Sequence, residues 1–456
     1  MSDRPSLSRP FLTVWLGQTL SLVGSMVSGV GVAVWVYLET GSAAWLGALT
    51  AMAAAPALLA GPFLPIVDRV PRRRMMIIAD TVASVGTIAA LALAATDRLE
   101  VWHLVVAAFI GGIGSAFQFP AFQAAVPLLV DREALGRANA LNQFGPAVGV
   151  VVGPVVATPL VAWWGITAVL FVDVVTFLVA IVCTTVVPFG DAVPTDTVQG
   201  PQDDGSWRSV VAWLRGDGRP LVVLLVAMAI TNFFLAFFNV SIIGLATNLG
   251  GATRAGLVLG AGGVSMLVGT IVLGSMGVAR RRVRTFGAAL VVTGVGCLVA
   301  AARPQFAVLI VGVVIALGMV PAVSAAVATI YHERVPHGMQ GRVFGLRAAI
   351  GRGLEPLGAL TAGIVIATVA EPAMADGEIG GRTLGRVIGT GTDRGAAAVL
   401  AGVGLSLVVV GVWVMRSWIN GVIDGGPNAA SAPSDGSDGF HGTDDAELPG
   451  ETVTAV

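Results

Sequence analysis

Long apolar runs separated by short polar stretches dominate the chain, lying near 11–37, 43–66, 75–95, 101–129, 139–163, 166–187, 220–247, 254–278, 285–302, 305–329, 343–370 and 394–416. A helix crossing the hydrocarbon core needs about 20 predominantly apolar residues. Strands of a membrane barrel would be about ten residues long with strict alternation, which these runs lack. The pattern therefore predicts an all-α integral membrane protein with twelve transmembrane helices in two six-helix bundles. The expected boundaries are 1–187 for the first bundle, 188–219 for a cytoplasmic linker, 220–416 for the second bundle and 417–456 for a disordered cytoplasmic tail.

Composition agrees with the pattern. Of the 456 residues 55% are hydrophobic and 12% charged, against roughly 25% charged in soluble domains, and the mean hydropathy is +0.85. A soluble enzyme, a disordered chain and an ordinary nucleic-acid binder are excluded. A net charge of -1 gives no global field for steering a partner. The opening MSDRPSLSRPF does not read as a cleavable signal, so the first apolar run is expected to remain as a span. Cys183 and Cys297 both sit in apolar runs, without metal-ligand spacing, and read as small core residues.

Charge asymmetry gives the orientation. The chain has no lysine; with twelve spans, 19 arginines fall on the side of the termini and 6 on the other, with Arg352 inside a span. The positive-inside rule then puts both termini in the cytoplasm of an inner or plasma membrane. Trp102, Trp163 and Trp164 fall at span ends on the outer side, as an aromatic belt should. Within the linker, Trp207, Val210, Val211 and Leu214 share one face at helical spacing, which suits a helix lying at the interface. The tail is rich in Gly, Ser, Ala, Pro and Asp and reads as disordered.

The halves echo each other. Each has an arginine cluster between its second and third runs, Asp68 to Arg74 and Arg280 to Arg284. Each opens its fifth run just after Gly-Arg, at Gly136-Arg137 and Gly341-Arg342, and then carries Gly and Pro. Repeated six-span units are a signature of transporters with a site between the halves.

Asp68-Arg69-x-x-Arg72-Arg73 resembles the signature loop of the major facilitator superfamily, with Pro71 where a glycine is usual. A carboxylate beside arginines at a helix end forms charge-assisted hydrogen bonds, so Asp68, Arg69, Arg72, Arg73 and Arg137 are read as a conformational latch. The alternative is that the arginines only obey the inside rule. Gly149-x-x-x-Gly153-Pro154 resembles the element of antiporter-type members, which implies export. FLTVWLGQTLSLVGS, DREALGRANALNQ at 131–143 and GRVFGLRAAIGRGLEPLG at 341–358 are similar, in that order, to the drug, macrolide and siderophore (enterobactin-type) exporter branch. The resemblance covers essentially the whole chain.

Ionisable residues within spans are costly and mark candidate function. Glu355 and Arg352, three apart, are either a mutually neutralising pair or a proton-coupling pair, with Asp173 and Asp80 as further proton candidates. Gln18, Ser21 and Ser25 recur on one face of the first run; Gln118, Gln123, Asn142, Asn232 and Asn239 are further candidates for a polar substrate path. Each is alternatively a helix–helix hydrogen bond. With no lysine a nucleotide-binding P-loop cannot form; no catalytic constellation, cofactor site or metal site is legible. The expectation is a secondary transporter and not an enzyme, exporting a small molecule and driven by a proton gradient. Its partners would be the solute, protons and the lipid bilayer, with no nucleic acid, and it would work as a monomer. The alternatives are an importer or facilitator on the same fold, or a non-transporting membrane sensor or scaffold.

Overall fold

The computed structural model describes residues 7–59, 70–189, 207–276, 281–375, 385–389 and 394–425. The chain is all-α there. In lipid no water is available for backbone N–H and C=O groups, so runs this apolar must satisfy them internally as helices. The first half contributes α1 (Arg9–Thr40), α2 (Ala43–Leu59), α3 (Arg72–Ala95), α4 (Val101–Leu129) and α5 (Leu135–Val186). The linker residues form α6 (Trp207–Arg215). The second half contributes α7 (Arg219–Asn248), α8 (Gly251–Met276), α9 (Arg282–Ala302), α10 (Phe306–Gly318), α11 (Val320–Arg334), α12 (Gln340–Gly353), α13 (Glu355–Val365) and α14 (Arg394–Arg416), followed by α15 (Trp418–Asp424).

Local chemistry sets the helix ends. Ser8 caps α1, its hydroxyl accepting from the Phe11 N–H at 3.2 Å, and Pro10 sits in the first turn where its missing N–H costs nothing. Gly41, at φ 59, ends α1 in the left-handed conformation, its N–H donating to the Tyr37 carbonyl. The run from 135 to 186 is 52 residues long, about 78 Å at 1.5 Å per residue, against a hydrocarbon core of about 30 Å. It doubles back at Gly165, whose φ of 71 and ψ of -170 are non-helical and suit a residue without a Cβ. The two limbs, 135–164 and 166–186, both pack along α1: Gly145 and Gly149 meet Thr19 and Met26, while Gly17 and Gly24 meet Cys183 and Thr176.

Ten helices among the described residues are long and apolar enough to cross a membrane, and α2 is a shorter apolar helix. The protein is thus a membrane-spanning helical bundle. Within the first half α1 packs on both limbs of α5, and α4 packs between α2 and α3. Within the second half α9 packs on α10 and α14, and α8 on α10. The halves meet chiefly through α2 against α13 and the first limb of α5 against α8, with α1 touching α7 and α8. Trp102, Trp163 and Trp164 are exposed at helix ends, as an interfacial belt requires. Cys297 is buried and Cys183 half-buried; both are free thiols.

Three features depart from the sequence reading, the first being that the tenth run is interrupted at Met319 between α10 and α11. The segment expected to be disordered from 417 begins with α15, and Asp424 at its end caps α9: its carboxylate accepts from the N–H groups of Val283 and Arg284, each at 3.2 Å. Helix N-termini leave such N–H groups unsatisfied, which gives these seven residues a reason to order. The eleventh run is also not one uninterrupted helix: a turn at Leu354 separates α12 from α13, so Arg352 and Glu355 flank a break. Pro356, in the first turn of α13, cannot donate to a continuing helical ladder.

Candidate functional site

The cross-half contacts are made by backbone approaching backbone. A Cβ on Gly47 of α2 would lie 2.4 Å from the Ala359 carbonyl oxygen of α13, and one on Gly363 2.6 Å from the Ala43 carbonyl oxygen. On the other flank a Cβ on Gly263 of α8 would lie 2.6 Å from the Val150 carbonyl oxygen, and Gly256 faces Thr158. Tyr37 of α1 accepts a hydrogen bond at its hydroxyl from Asn248 of α7, at 3.0 Å. Tyr37, Ala43, Gly47, Thr158, Asn248 and Gly256 all sit at or near the ends of their helices remote from Arg72, Arg137 and Arg282. The halves are therefore closed against each other at the arginine-poor end. Small residues are what allow such close approach.

The element Gly149, Gly153 and Pro154 is buried and faces α1. A Cβ on Gly149 would reach 2.3 Å from the Met26 sulfur, and one on Gly153 3.3 Å from the Met26 backbone. The motif thus keeps the first limb of α5 against α1. Of the latch residues, Asp68 and Arg69 lie outside the described residues. Arg72 opens α3, and Arg137 is exposed in the first turn of α5. Arg73, in the first turn of α3, donates through Nε to the Thr184 carbonyl at 3.2 Å and through Nη2 to the Thr185 carbonyl. It ties the start of α3 to the last turn of α5, where free carbonyls are available.

The buried polar groups of the first half converge. Asp80 of α3, 2% exposed, accepts from Gln18 Nε2 of α1 at 2.9 Å. The same nitrogen contacts the Thr184 hydroxyl at 3.3 Å, and Gln18 Oε1 accepts from Gln118 of α4. One amide thus links α1, α3, α4 and α5. Gln18, Asp80, Gln118 and Ser21 line a cavity of about 60 Å³. One to two turns further along, Asp173 accepts at Oδ1 from Ser25 at 3.0 Å and at Oδ2 from Thr87 at 3.3 Å. It lines a cavity of about 360 Å³ whose walls come from α1, α2, α3, α4 and the second limb of α5. Ser25, Ala83, Ser115 and Phe177 line both cavities, so the two adjoin.

The remaining candidates are dispersed. Asn142 is buried with neither amide atom hydrogen-bonded among the described residues. Such a group is rare. Gln123 is half-buried and apart from both cavities, and Asn239 is exposed. Asn232 donates to the Gly351 carbonyl and lines a cavity of about 50 Å³ in the second half with Thr231, Thr293 and Ser324. Beside it Phe233 packs on Phe237 with ring centroids 5.1 Å apart. Glu355 is half-buried at the start of α13, and the side chain of Arg352 lies outside the described residues. Among the described residues no group of acidic, His and Cys side chains could hold a metal ion. Sequence reasoning did not single out Thr87, Thr184 or Ser28. Serine and threonine are ordinary in apolar helices, and only the packing aims Thr87 and Ser28 at Asp173 and sets Thr184 against the Gln18 amide.

Comparison with known proteins agrees with this architecture. A family model described as Major Facilitator Superfamily matches residues 14–359. Macrolide efflux protein A of Streptococcus pyogenes is 27% identical over 366 residues, spanning 76% of this chain and 87% of that protein. An uncharacterized MFS-type transporter, y4rN, of Sinorhizobium fredii is 25% identical over 363 residues, spanning 77% of this chain and 87% of that protein. Among solved structures, the nucleoside transporter NupG superposes with a TM-score of 0.65 at 12% identity, covering 90% of this chain and all of that one. A bacterial homolog of the human lysosomal transporter Spinster, inward-facing and unoccupied, gives 0.65 at 15% identity, covering 91% of this chain and 96% of that one. Such structural likeness bears on the fold alone, while the family match covers most of the chain: it belongs to the major facilitator superfamily, whose members are secondary-active membrane transporters rather than enzymes.

Proposed function

We propose that the protein exports a drug-like, macrolide-like or siderophore-like small molecule across the inner or plasma membrane, driven by proton antiport. The observation that carries the direction is the 27% identity to Macrolide efflux protein A, maintained over 366 residues. Counting the two limbs of α5 separately and admitting α2 gives twelve crossings, six in each half, with both termini and the arginine clusters in the cytoplasm. Closure of the halves at the arginine-poor end is then an inward-facing arrangement, in which a solute enters between the halves from the cytoplasm. Rocking about the glycine contacts of α2 with α13 and of α5 with α8 would expose it outside.

The buried carboxylates Asp80 and Asp173 support proton coupling. Each is held by neutral donors, Gln18 for one and Ser25 and Thr87 for the other, so a proton can be gained or lost without breaking an ion pair. Glu355 remains a third candidate, at the break between α12 and α13. Asp68 with Arg72, Arg73 and Arg137 would latch one state at the cytoplasmic end. The assay is proteoliposomes loaded with a macrolide panel under an imposed pH gradient, acid on the side corresponding to the cell exterior. Uphill, gradient-dependent accumulation is the expected result; movement only down the solute gradient would reduce the protein to a facilitator.

A further inference from the structure

The walls of the larger cavity in the first half all come from residues 25 to 177. Its volume of about 360 Å³ lies in the lower part of the range, about 300–1,000 Å³, of pockets that enclose small molecules. Its chemistry is two-sided. Leu49, Leu104, Leu170 and Phe177 make apolar walls, and Asp173 stands at the polar side with Ser25, Ser28 and Thr87.

Asp173 is 4% exposed and draws hydrogen bonds from the hydroxyls of Ser25, Ser28 and Thr87. An ionised carboxylate has about four acceptor positions, so three hydroxyls leave one open. All three donors are neutral, and no Arg or His lines this cavity or the smaller one beside it; Asp80 is the other charged residue there. A buried carboxylate is stable as an anion only when paired or fully hydrogen-bonded. A proton on Asp173, as in the coupling reading, satisfies it in one way and a cation with at least one N–H in another; the walls call for an apolar body behind such a cation.

We propose that this cavity binds a small organic cation, a protonated amine with an aryl or alkyl body, whose ammonium donates to Asp173. The site is a claim about binding and stands apart from the export reading. Two glycines make it testable without disturbing the carboxylate. Gly29 of α1 and Gly111 of α4 both line the cavity, and a Cβ on either would meet no atom within 4 Å. A leucine at either position would occupy the space intended for the ligand.

The test is calorimetric titration of the full-length protein in lipid nanodiscs with N,N-dimethyl-2-phenylethylamine, kept protonated at neutral pH, and with the matching neutral alcohol, 2-phenylethanol. The amine should bind and the alcohol should bind about tenfold or more weaker, which is about 1.4 kcal/mol. Asp173→Asn should lose about tenfold or more in amine affinity. Gly111→Leu and Gly29→Leu should abolish binding, while Gly402→Leu on the exposed face of α14 should bind like the parent. Equal affinity for amine and alcohol, or parental affinity in Asp173→Asn, would overturn the charge assignment. Should that variant misfold, parental affinity in both glycine variants would overturn the site by itself. A protein that binds the amine yet exports nothing keeps this site and loses the export reading; one that exports but does not bind the amine loses this site alone.

Discussion

Substituting Gly47 by alanine should unlock the closed end of the protein. The added Cβ would lie 2.4 Å from the Ala359 carbonyl oxygen and 3.0 Å from the Gly363 Cα. Ordinary carbon–oxygen contacts between neighbouring helices are about 3.3–3.6 Å, so α2 and α13 must separate by roughly 1 Å. Both opposing atoms are backbone, and neither can rotate aside as a flexible side chain would. Overpacking of this kind costs about 1–3 kcal/mol. The cost falls only on the arrangement in which the halves touch at this end. With tenfold per about 1.4 kcal/mol, the closed population drops relative to the open one by a factor of roughly 5–160. Pulsed electron–electron distance measurements would read it, with spin labels on cysteines replacing Arg98 and Arg303, both exposed and in opposite halves at the closed end. The background would lack Cys183 and Cys297. Gly47→Ala should add or enlarge a long-distance population, whereas Gly402→Ala, with no atom within 4 Å of its Cβ, should not. A folded Gly47→Ala protein with the parental distance distribution would refute the idea that this contact holds the halves together.

Further outcomes follow from the same contacts. Gln18→Leu removes the amide that serves Asp80, Thr184 and Gln118 together; leaving a buried acceptor unsatisfied costs about 1–3 kcal/mol, so thermal unfolding in detergent should come earlier, and an unchanged midpoint would show the network to be idle. Arg73→Ala cuts the tie from α3 to the Thr184 and Thr185 carbonyls and should slow transport at normal membrane insertion; parental rates would leave the cluster as a topology signal only. Deleting residues from 418 onward removes the Asp424 cap on α9, worth about 0.5–2 kcal/mol by analogy with other N-caps, while deletion after Asp424 should leave stability at the parental value; equal melting of the two truncations would contradict the capping role. For orientation, cysteines replacing Asp217 and Arg98 should differ in intact cells, an impermeant thiol reagent labelling only the second; the opposite pattern would invert the topology.

Much of the architecture was legible along the chain because the bilayer leaves few solutions. Each long apolar run must be a helix, since its backbone has no water to bond, and the Gly165 boundary was visible as a gap between the runs ending at 163 and starting at 166. The amphipathic α6 was equally plain from its spacing. The break at Leu354 was not, because Pro356 is tolerated in the first turn of a helix as readily as it marks an interruption. Nor was α15: its ordering depends on Asp424 meeting the start of α9, 140 residues away in sequence. The candidate site divides in the same way. Asp80 and Asp173 stood out as charges inside apolar runs, which is a property of the sequence. Their partners, Gln18 at a separation of 62 residues and Ser25 at 148, became partners only when α1 packed against α3 and the second limb of α5. The glycines tell the same story: composition announced close helix packing, but whether Gly47 met its own half or the other was decided by the tertiary arrangement. Hydropathy is a property of each segment against a uniform solvent, so the sequence by itself determined that these segments are apolar helices of a membrane bundle. Hydrogen bonds and backbone contacts between segments depend on the rotation and depth of each helix relative to its neighbours, which only the packed structure decides.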